Sequence, residues 1–497
     1  MREFGLFVDG GWRPASGGAT YESINPATGE AWALAASASV EDVNEAVEVA
    51  SRAHRQGVWR GMSGKARGEI LNRVADMLIE RQDELVLAEV ADSGGTFRKG
   101  NIADIPAAMQ TFQYYAGLAE SMEEEVEEEE FVPVPSRNIV RREPLGVVAA
   151  IIPFNFPLAA AAWKVAPVLA AGNTLILKPS PFTPATALLL AQLCHDAGVP
   201  DGVFNVLTGP GPEIGATLVA HPKVAKVAFT GSSKVGQIVM RDAAATVKPV
   251  MLELGGKSAN IILEDADLEI AVRGALFGTF FHSGQVCESG TRVLVPRTRH
   301  DEFVEMLVEG AKLIRVGDPM DPMTTMGPVI NESQLRNIER YVGMGKEQGS
   351  RCVFGGGRTE GMDRGYFHDP TIFVDVDNTM DIARQEIFGP VVSIIPFDDE
   401  EQAVEIANDN MYGLAGAVWS RDLERATQMA RNLETGTVWI NDYHLINVRF
   451  PFGGYKRSGF GRELGPQGLA EYQQVKHIHV GESSSVDEKY YFGMLLD

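Results

Sequence analysis

The chain has 497 residues, 45% of them hydrophobic, enough for roughly two or three domains with substantial cores. A formal net charge of −23 at pH 7 would repel a polyanion and argues against nucleic acid as a partner. Three cysteines, far apart and without a CxxC pair, exclude a disulfide framework or a cysteine-based zinc site, and point to a reducing compartment, the cytoplasm by default.

The first ten residues are interrupted by acids and lack the apolar core of a signal peptide. The most apolar stretch, 147–171, is broken by Pro153, Asn155, Pro157 and Lys164, so no membrane span is expected. Segments 43–53, 66–82 and 102–119 have the periodicity of amphipathic surface helices. The acidic run 123–130 reads as a solvated linker or edge segment, since like charges repel and stay in water. Segments 131–135 and 138–142 then read as strands of a projecting hairpin, with prolines suited to an edge.

From Gly146 the rhythm changes. Strand-like runs at 147–152, 174–177, 203–207, 224–229 and 250–254 alternate with helical segments at 159–170, 184–197, 212–220 and 234–245, the signature of βαβ crossovers and a parallel sheet of nucleotide-binding type. A second α/β unit follows, with helices at 267–282, 300–314 and 400–409 and strands at 292–295 and 390–396. After Phe452 a Gly/Lys/Arg-rich turn leads to segment 461–472 and a short β segment at 475–480, and the remainder reads as a loosely tethered tail.

Five places invite a chemical reading. Cys287 lies among small and polar residues just past a hydrophobic segment and is either structural or a nucleophile, whereas Cys194 and Cys352 read as core fillers. Gly231 and Ser232 stand where a strand gives way to a helix, as a simple cap or as an anion site. The glycines of 209–215 mimic a dinucleotide fingerprint, but with the wrong spacing, and read as a plain turn. Asn155, at a strand end between aromatics and prolines, is either a turn former or a donor to a developing oxyanion. Glu253, which ends an apolar strand, is either paired with Lys257 or a base towards water.

Taken in order, Asn155, Lys178-Pro179-Ser180, Gly231, Glu253, Cys287, Glu386-Ile387-Phe388-Gly389-Pro390 and Pro451-Phe452-Gly453-Gly454-Tyr455-Lys456 resemble the aldehyde dehydrogenase superfamily, from about residue 20 to residue 480. The resemblance implies an α/β fold: a Rossmann-type cofactor domain in 1–120 and 144–254, an α/β catalytic domain in 255–450, and a β oligomerisation arm and tail in 121–143 and 473–497. It implies NAD(P)-dependent oxidation of a small-molecule aldehyde to an acid without a metal, by a homodimer or homotetramer. Cys287 would be the nucleophile, Asn155 the oxyanion donor and Glu253 the base that activates water, with Lys164 and Glu463 in a proton path behind it.

The same resemblance implies that Lys178 and Ser180 meet the adenosine ribose, that Gly231 and Ser232 meet the pyrophosphate, and that Glu386 and Phe388 meet the nicotinamide half. Further cofactor contacts fall to Ile151, Pro153, Gly211 and Gly215, and to Phe229, Val235, Leu254 and Gly255. Pro181 stands where many relatives carry a glutamate towards the ribose, so NAD+ is favoured over NADP+ only slightly. The substrate tunnel would be lined near Phe156, Ala160 and Trp163 on one side and Val286, Glu288, Ile446 and Phe452 on the other. This mostly apolar set suits aliphatic or aromatic aldehydes, with Arg449 facing solvent or a subunit contact. The alternatives are a CoA-acylating relative, disfavoured because Glu253 is retained, and a catalytically silent protein of the same fold, disfavoured because Cys287, Asn155 and Glu253 are all intact.

Overall fold

Apolar residues run almost unbroken through Val147–Ile151 and Thr174–Lys178, and such strands bury both faces. Val147, Ala149 and Ile176 enter one core while Val148, Ala150, Leu175 and Leu177 enter the core on the other side, as alternation along a strand requires. The computed structural model describes residues 1–121, 125–131 and 134–496. Glu123, Glu124, Val132, Pro133 and Asp497, which belong to the acidic run, the hairpin and the tail of the sequence reading, lie outside the described residues.

The resulting eight-stranded sheet has the order Gly459–Phe460, Val250–Glu253, Val224–Thr230, Val147–Ile151, Thr174–Lys178, Phe204–Val206, Leu6–Val8, Gly11–Arg13. The strands from Val250–Glu253 to Phe204–Val206 are mutually parallel, and antiparallel strands close both edges. Strand order reverses between Val147–Ile151 and Val224–Thr230, and a crevice outside the carboxyl ends of the strands is expected at such a point.

A seven-stranded sheet follows, in the order Arg351–Phe354, Thr371–Val374, Val391–Phe397, Arg292–Pro296, Ala259–Ile262, Ala415–Trp419, Thr437–Ile440. All its pairings are parallel except that of Arg351–Phe354. Cores lie on both of its faces.

Several expectations need correction. The helix expected over 66–82 is Gly64–Glu80, ending where Arg81 leaves helical geometry, and a further helix with no counterpart among the expected segments, Gln82–Ser93, follows it. Segment 461–472 is helical only over Gly465–Ala470, because Leu464 and Gly465 take positive φ, and Gly459–Phe460, just before it, pairs with the strand that ends in Glu253. Cys194 is a core residue as expected, but Cys352 lies half-buried on the edge strand Arg351–Phe354. The hairpin strands are Glu125–Phe131 and Val134–Pro144, so the acidic run is itself largely an edge strand. Gln473–Gly481 joins Val134–Pro144 on its other side to complete a three-stranded sheet.

Candidate active site

The segment carrying Cys287 is built to turn sharply. Helix Leu268–Phe280 starts at an Asp267 cap and gives way to a tight turn in which His282 and Ser283 adopt left-handed backbone angles (φ 48° and 56°). Long-range bonds hold that costly geometry: Ser283 Oγ donates to the Gly327 carbonyl at 2.7 Å, and the Ile330 amide donates to Gln285 Oε1 at 2.9 Å. Cys287 emerges half-buried immediately afterwards.

Asn155 projects from the loop after the central strand of the first sheet and is 4% exposed. Its Nδ2 donates to the Gln285 carbonyl at 2.8 Å, so it is no local turn former but a tie between the first sheet and the cysteine loop. An amide nitrogen carries two hydrogens, and one remains for another acceptor.

Glu253 ends its strand fully enclosed, and its Oε1 has no hydrogen-bond partner among the described residues. The expected alternative, a pair with Lys257, is not formed, for Lys257 Nζ also lacks a partner. Burial drives the Glu253 carboxyl well above the carboxylate range; the negative charge of Glu463 adds to this, the Lys164 ammonium opposes it, and Glu288 raises it further. Lys164 and Glu463 form a buried ion pair. The two glycines after Glu253 are required by close approach: a Cβ on Gly256 would strike the Cys287 carbonyl, and one on Gly255 the Glu386 carboxylate.

On the other flank, Cys287 Sγ donates to Glu288 Oε2 at 3.1 Å. Glu288 Oε1 lies 3.1 Å from His444 Nδ1. Burial, then the negative charges of Glu288 and Glu253, push the Cys287 thiol well above its ordinary value.

The expected cofactor residues gather along the carboxyl ends of the parallel strands. Ile151, Lys178, Phe229 and Glu253 are terminal or near-terminal strand residues, with Pro153, Ser180, Gly231, Leu254 and Gly255 in the loops beyond. Gly211 and Gly215 lie in the first turns of helix Gly211–Ala220, reached by the plain turn expected there. Ser232 caps helix Ser233–Ala243 through the Val235 amide at 3.4 Å, and both residues are exposed, which leaves this helix end open to an anion. Lys178 Nζ donates to the Pro179 carbonyl at 3.1 Å, and burial brings its pKa down to about 8. From the second sheet's side, Glu386 Oε1 accepts from the Gly256 amide at 3.1 Å, and burial lifts its carboxyl to about 7. Phe388, at φ 56°, sets its ring edge-on to Phe154 at 5.6 Å.

The family model for the aldehyde dehydrogenase family matches residues 12–478. The chain belongs to that family. It is 43% identical to a betaine aldehyde dehydrogenase of Bacillus subtilis, over 95% of this chain and 96% of the relative. A crystal structure of betaine aldehyde dehydrogenase from Staphylococcus aureus with NAD+ superposes with a TM-score of 0.95 at 39% identity, covering 97% of this chain and 96% of that one. An NAD+ complex of an aldehyde dehydrogenase from Bacillus cereus gives 0.94 at 42% identity, covering 97% of both chains.

In this family member Trp163 and Phe452 stack edge-on at 5.5 Å, and Trp163, Cys287 and Ile446 pack against one small cluster around Phe452. Ile446 also lines a surface cleft of about 550 Å3 between Gln110, Gln113 and Tyr114 on one wall and Asn447, Val448 and Arg449 on the other. Phe156 caps helix Pro157–Ala170 and lies under Lys99 Nζ at 4.2 Å, with Ala160 one turn on. Val286 is buried, so its side chain packs under the loop rather than opening to solvent. Gln285, Tyr443 and His444 had no signal in the sequence, because each acts on the cysteine loop or receives from it across a long separation in the chain.

Proposed function

We propose that this chain oxidises an aldehyde to a carboxylic acid with NAD+, through a covalent intermediate on Cys287. The observation that carries this is the tie from Asn155 to the Gln285 carbonyl, which fastens an amide donor of the first sheet to the loop that carries Cys287, two residues before the sulfur. The thiol of Cys287 gives up its proton, and the sulfur adds to the aldehyde carbon. The oxygen that becomes negative is met by the remaining hydrogen of Asn155 Nδ2 and by the Cys287 backbone amide. Bound NAD+ supplies the acceptor for the hydrogen and electron pair of the aldehyde C–H bond. Cys287 is left holding a thioester, and Glu253 takes a proton from the water that attacks it, releasing the acid and the thiol. Lys164 and Glu463 then hold the proton path behind Glu253.

The residues present fit the cofactor. The open helix end at Ser232 suits a pyrophosphate, Lys178 retains hydrogens for ribose hydroxyls, and Glu386 and Phe388 would meet the nicotinamide half. We assign this role to the doubly wound part, residues 1–120 and 144–254, catalysis to 255–450, and subunit contact to 121–143 and 473–497. Val475 and Ile478 expose apolar surface on the arm, which supports a dimer or tetramer that light scattering would size. Among the described residues no helix is long and apolar enough to cross a membrane, and the unpaired cysteines support a cytoplasmic setting.

Ile446 belongs both to the cleft and to the cluster of Trp163, Phe452 and Cys287, so an aldehyde entering there would meet an apolar, partly aromatic wall, which suits aliphatic or aromatic chains. A second reading, a quaternary ammonium aldehyde of the kind named for the relatives, is favoured by those same two rings, since a cation is drawn to aromatic faces. A panel of aliphatic, aromatic and trimethylammonium aldehydes, assayed by reduced-cofactor absorbance with NAD+ and with NADP+, tests the proposal. No oxidation of any member sinks it, and a strong preference for the cationic aldehyde selects the second reading.

A further inference from the structure

Glu288 directly follows the nucleophile, and neither of its oxygens is free. One accepts from the Cys287 thiol at 3.1 Å, and the other faces His444 Nδ1 at 3.1 Å. Its carbonyl accepts from Tyr443 OH at 2.8 Å, so main chain and side chain are both anchored to the segment that follows strand Thr437–Ile440. His444 takes a left-handed backbone conformation (φ 61°), and its ring meets Tyr443 edge-on at 4.8 Å and Phe277 at 5.3 Å. The side chains of the pair are 4% and 7% exposed, and His444 is the side chain that meets Glu288 Oε1 among the described residues. This arrangement fixes a carboxylate in place rather than leaving it to exchange protons.

A carboxylate that only accepts rewards S–H over S−, because the thiolate would bring a second negative charge to the same oxygen with no hydrogen between them. We propose that Glu288, pinned by His444, is a positioning residue that holds Cys287 as a protonated, hydrogen-bond-donating thiol in the cofactor-free protein, and so masks the nucleophile from electrophiles other than its substrate. The charged and titratable groups facing this unit are Glu253 and Glu386 towards the sulfur, and His444 and Tyr443 towards the carboxylate. Their balance agrees with the geometry. Burial alone would raise the Glu288 carboxyl, but the hydrogen bond and charge of His444, with the hydrogen bond from Cys287, bring it below its ordinary value and keep it anionic.

The proposal rests on Cys287 being the nucleophile, and its test separates the two. In the apo protein, iodoacetamide is attacked by the Cys287 thiolate: a C–S bond forms, iodide leaves, and the thiol proton goes to solvent. The rate of this alkylation is followed against pH, with Cys287 distinguished from Cys194 and Cys352 by peptide mass spectrometry. Wild type is expected to have a reaction midpoint above that of the denatured chain. Glu288→Gln should lower the midpoint by about one pH unit, which is about tenfold faster alkylation near pH 7, while Glu288→Asp, which keeps the charge, should stay near wild type. An unchanged or raised midpoint in Glu288→Gln overturns the proposal, and slower alkylation would make Glu288 a proton acceptor instead. Should Glu288→Gln not fold, a wild-type midpoint at or below that of the denatured chain overturns it alone. Aldehyde oxidation retained by Cys287→Ala would remove the nucleophile assignment without touching the alkylation result.

Discussion

Two carboxylates flank one sulfur and are held in opposite ways. Glu253 has an oxygen with no partner and a carboxyl pushed far up by burial, whereas Glu288 has both oxygens engaged and a carboxyl drawn down. Both are equally hidden from solvent, at 3% and 5% exposure, so burial does not separate them. Partners do. A carboxyl group left unpartnered takes and returns protons as the reaction asks, and one saturated with donors acts as a fixed charge. Titratable groups whose surroundings drive them apart in this way divide the tasks of a site between them.

Breaking the sulfur that both carboxylates serve should have the largest effect. Cys287→Ala is expected to lower kcat by at least about 10,000-fold while the protein still binds NAD+, as measured by steady-state rates and cofactor titration. Next comes the unpartnered carboxylate. Glu253→Gln should release about one equivalent of reduced cofactor per site and then turn over roughly 100- to 10,000-fold more slowly, because the thioester forms but water is not activated. Full steady turnover in rapid-quench experiments would take the base role away from Glu253. The smallest effect sharpens the comparison through pH. Since burial raises the Glu253 carboxyl above its ordinary value, deacylation should climb with pH along a limb displaced upward from the usual carboxylate range. Lys164→Met removes the ammonium that opposes the rise and should move the limb to higher pH, with a stability loss of about 3–5 kcal/mol from the orphaned Glu463. A limb that stays put would disconnect Lys164 from Glu253.

The first sheet was legible because its parallel strands are buried on both faces, and runs such as Val147–Ile151 announce themselves by composition alone. Half of the second sheet was not. Ala259–Ile262 is only four residues long with a polar Asn260 inside it, and Ala415–Trp419 leans on alanine and glycine, residues with little preference for strands; both become strands because neighbours on both sides complete their ladders. Cys287, Asn155 and Glu253 were legible as motifs because loops at strand ends carry chemistry in short, recognisable stretches. The anchor on Glu288 was not, since His444 lies far along the chain and no local pattern marks its left-handed backbone. Nor could spacing alone reveal that Glu253 and Lys257, four positions apart in a strand-end motif, would each remain unpaired.

The pairing of Gly459–Phe460 with Val250–Glu253 also sets a schedule. Glu253 leaves the ribosome in the middle of synthesis, yet its strand keeps a bare edge until residue 459 has followed. Until then the half-made protein carries an unpaired apolar ladder next to an unfinished site, a template for sticking to other chains. A messenger truncated, or a protease cutting, just before that point would therefore yield aggregates rather than a smaller working enzyme.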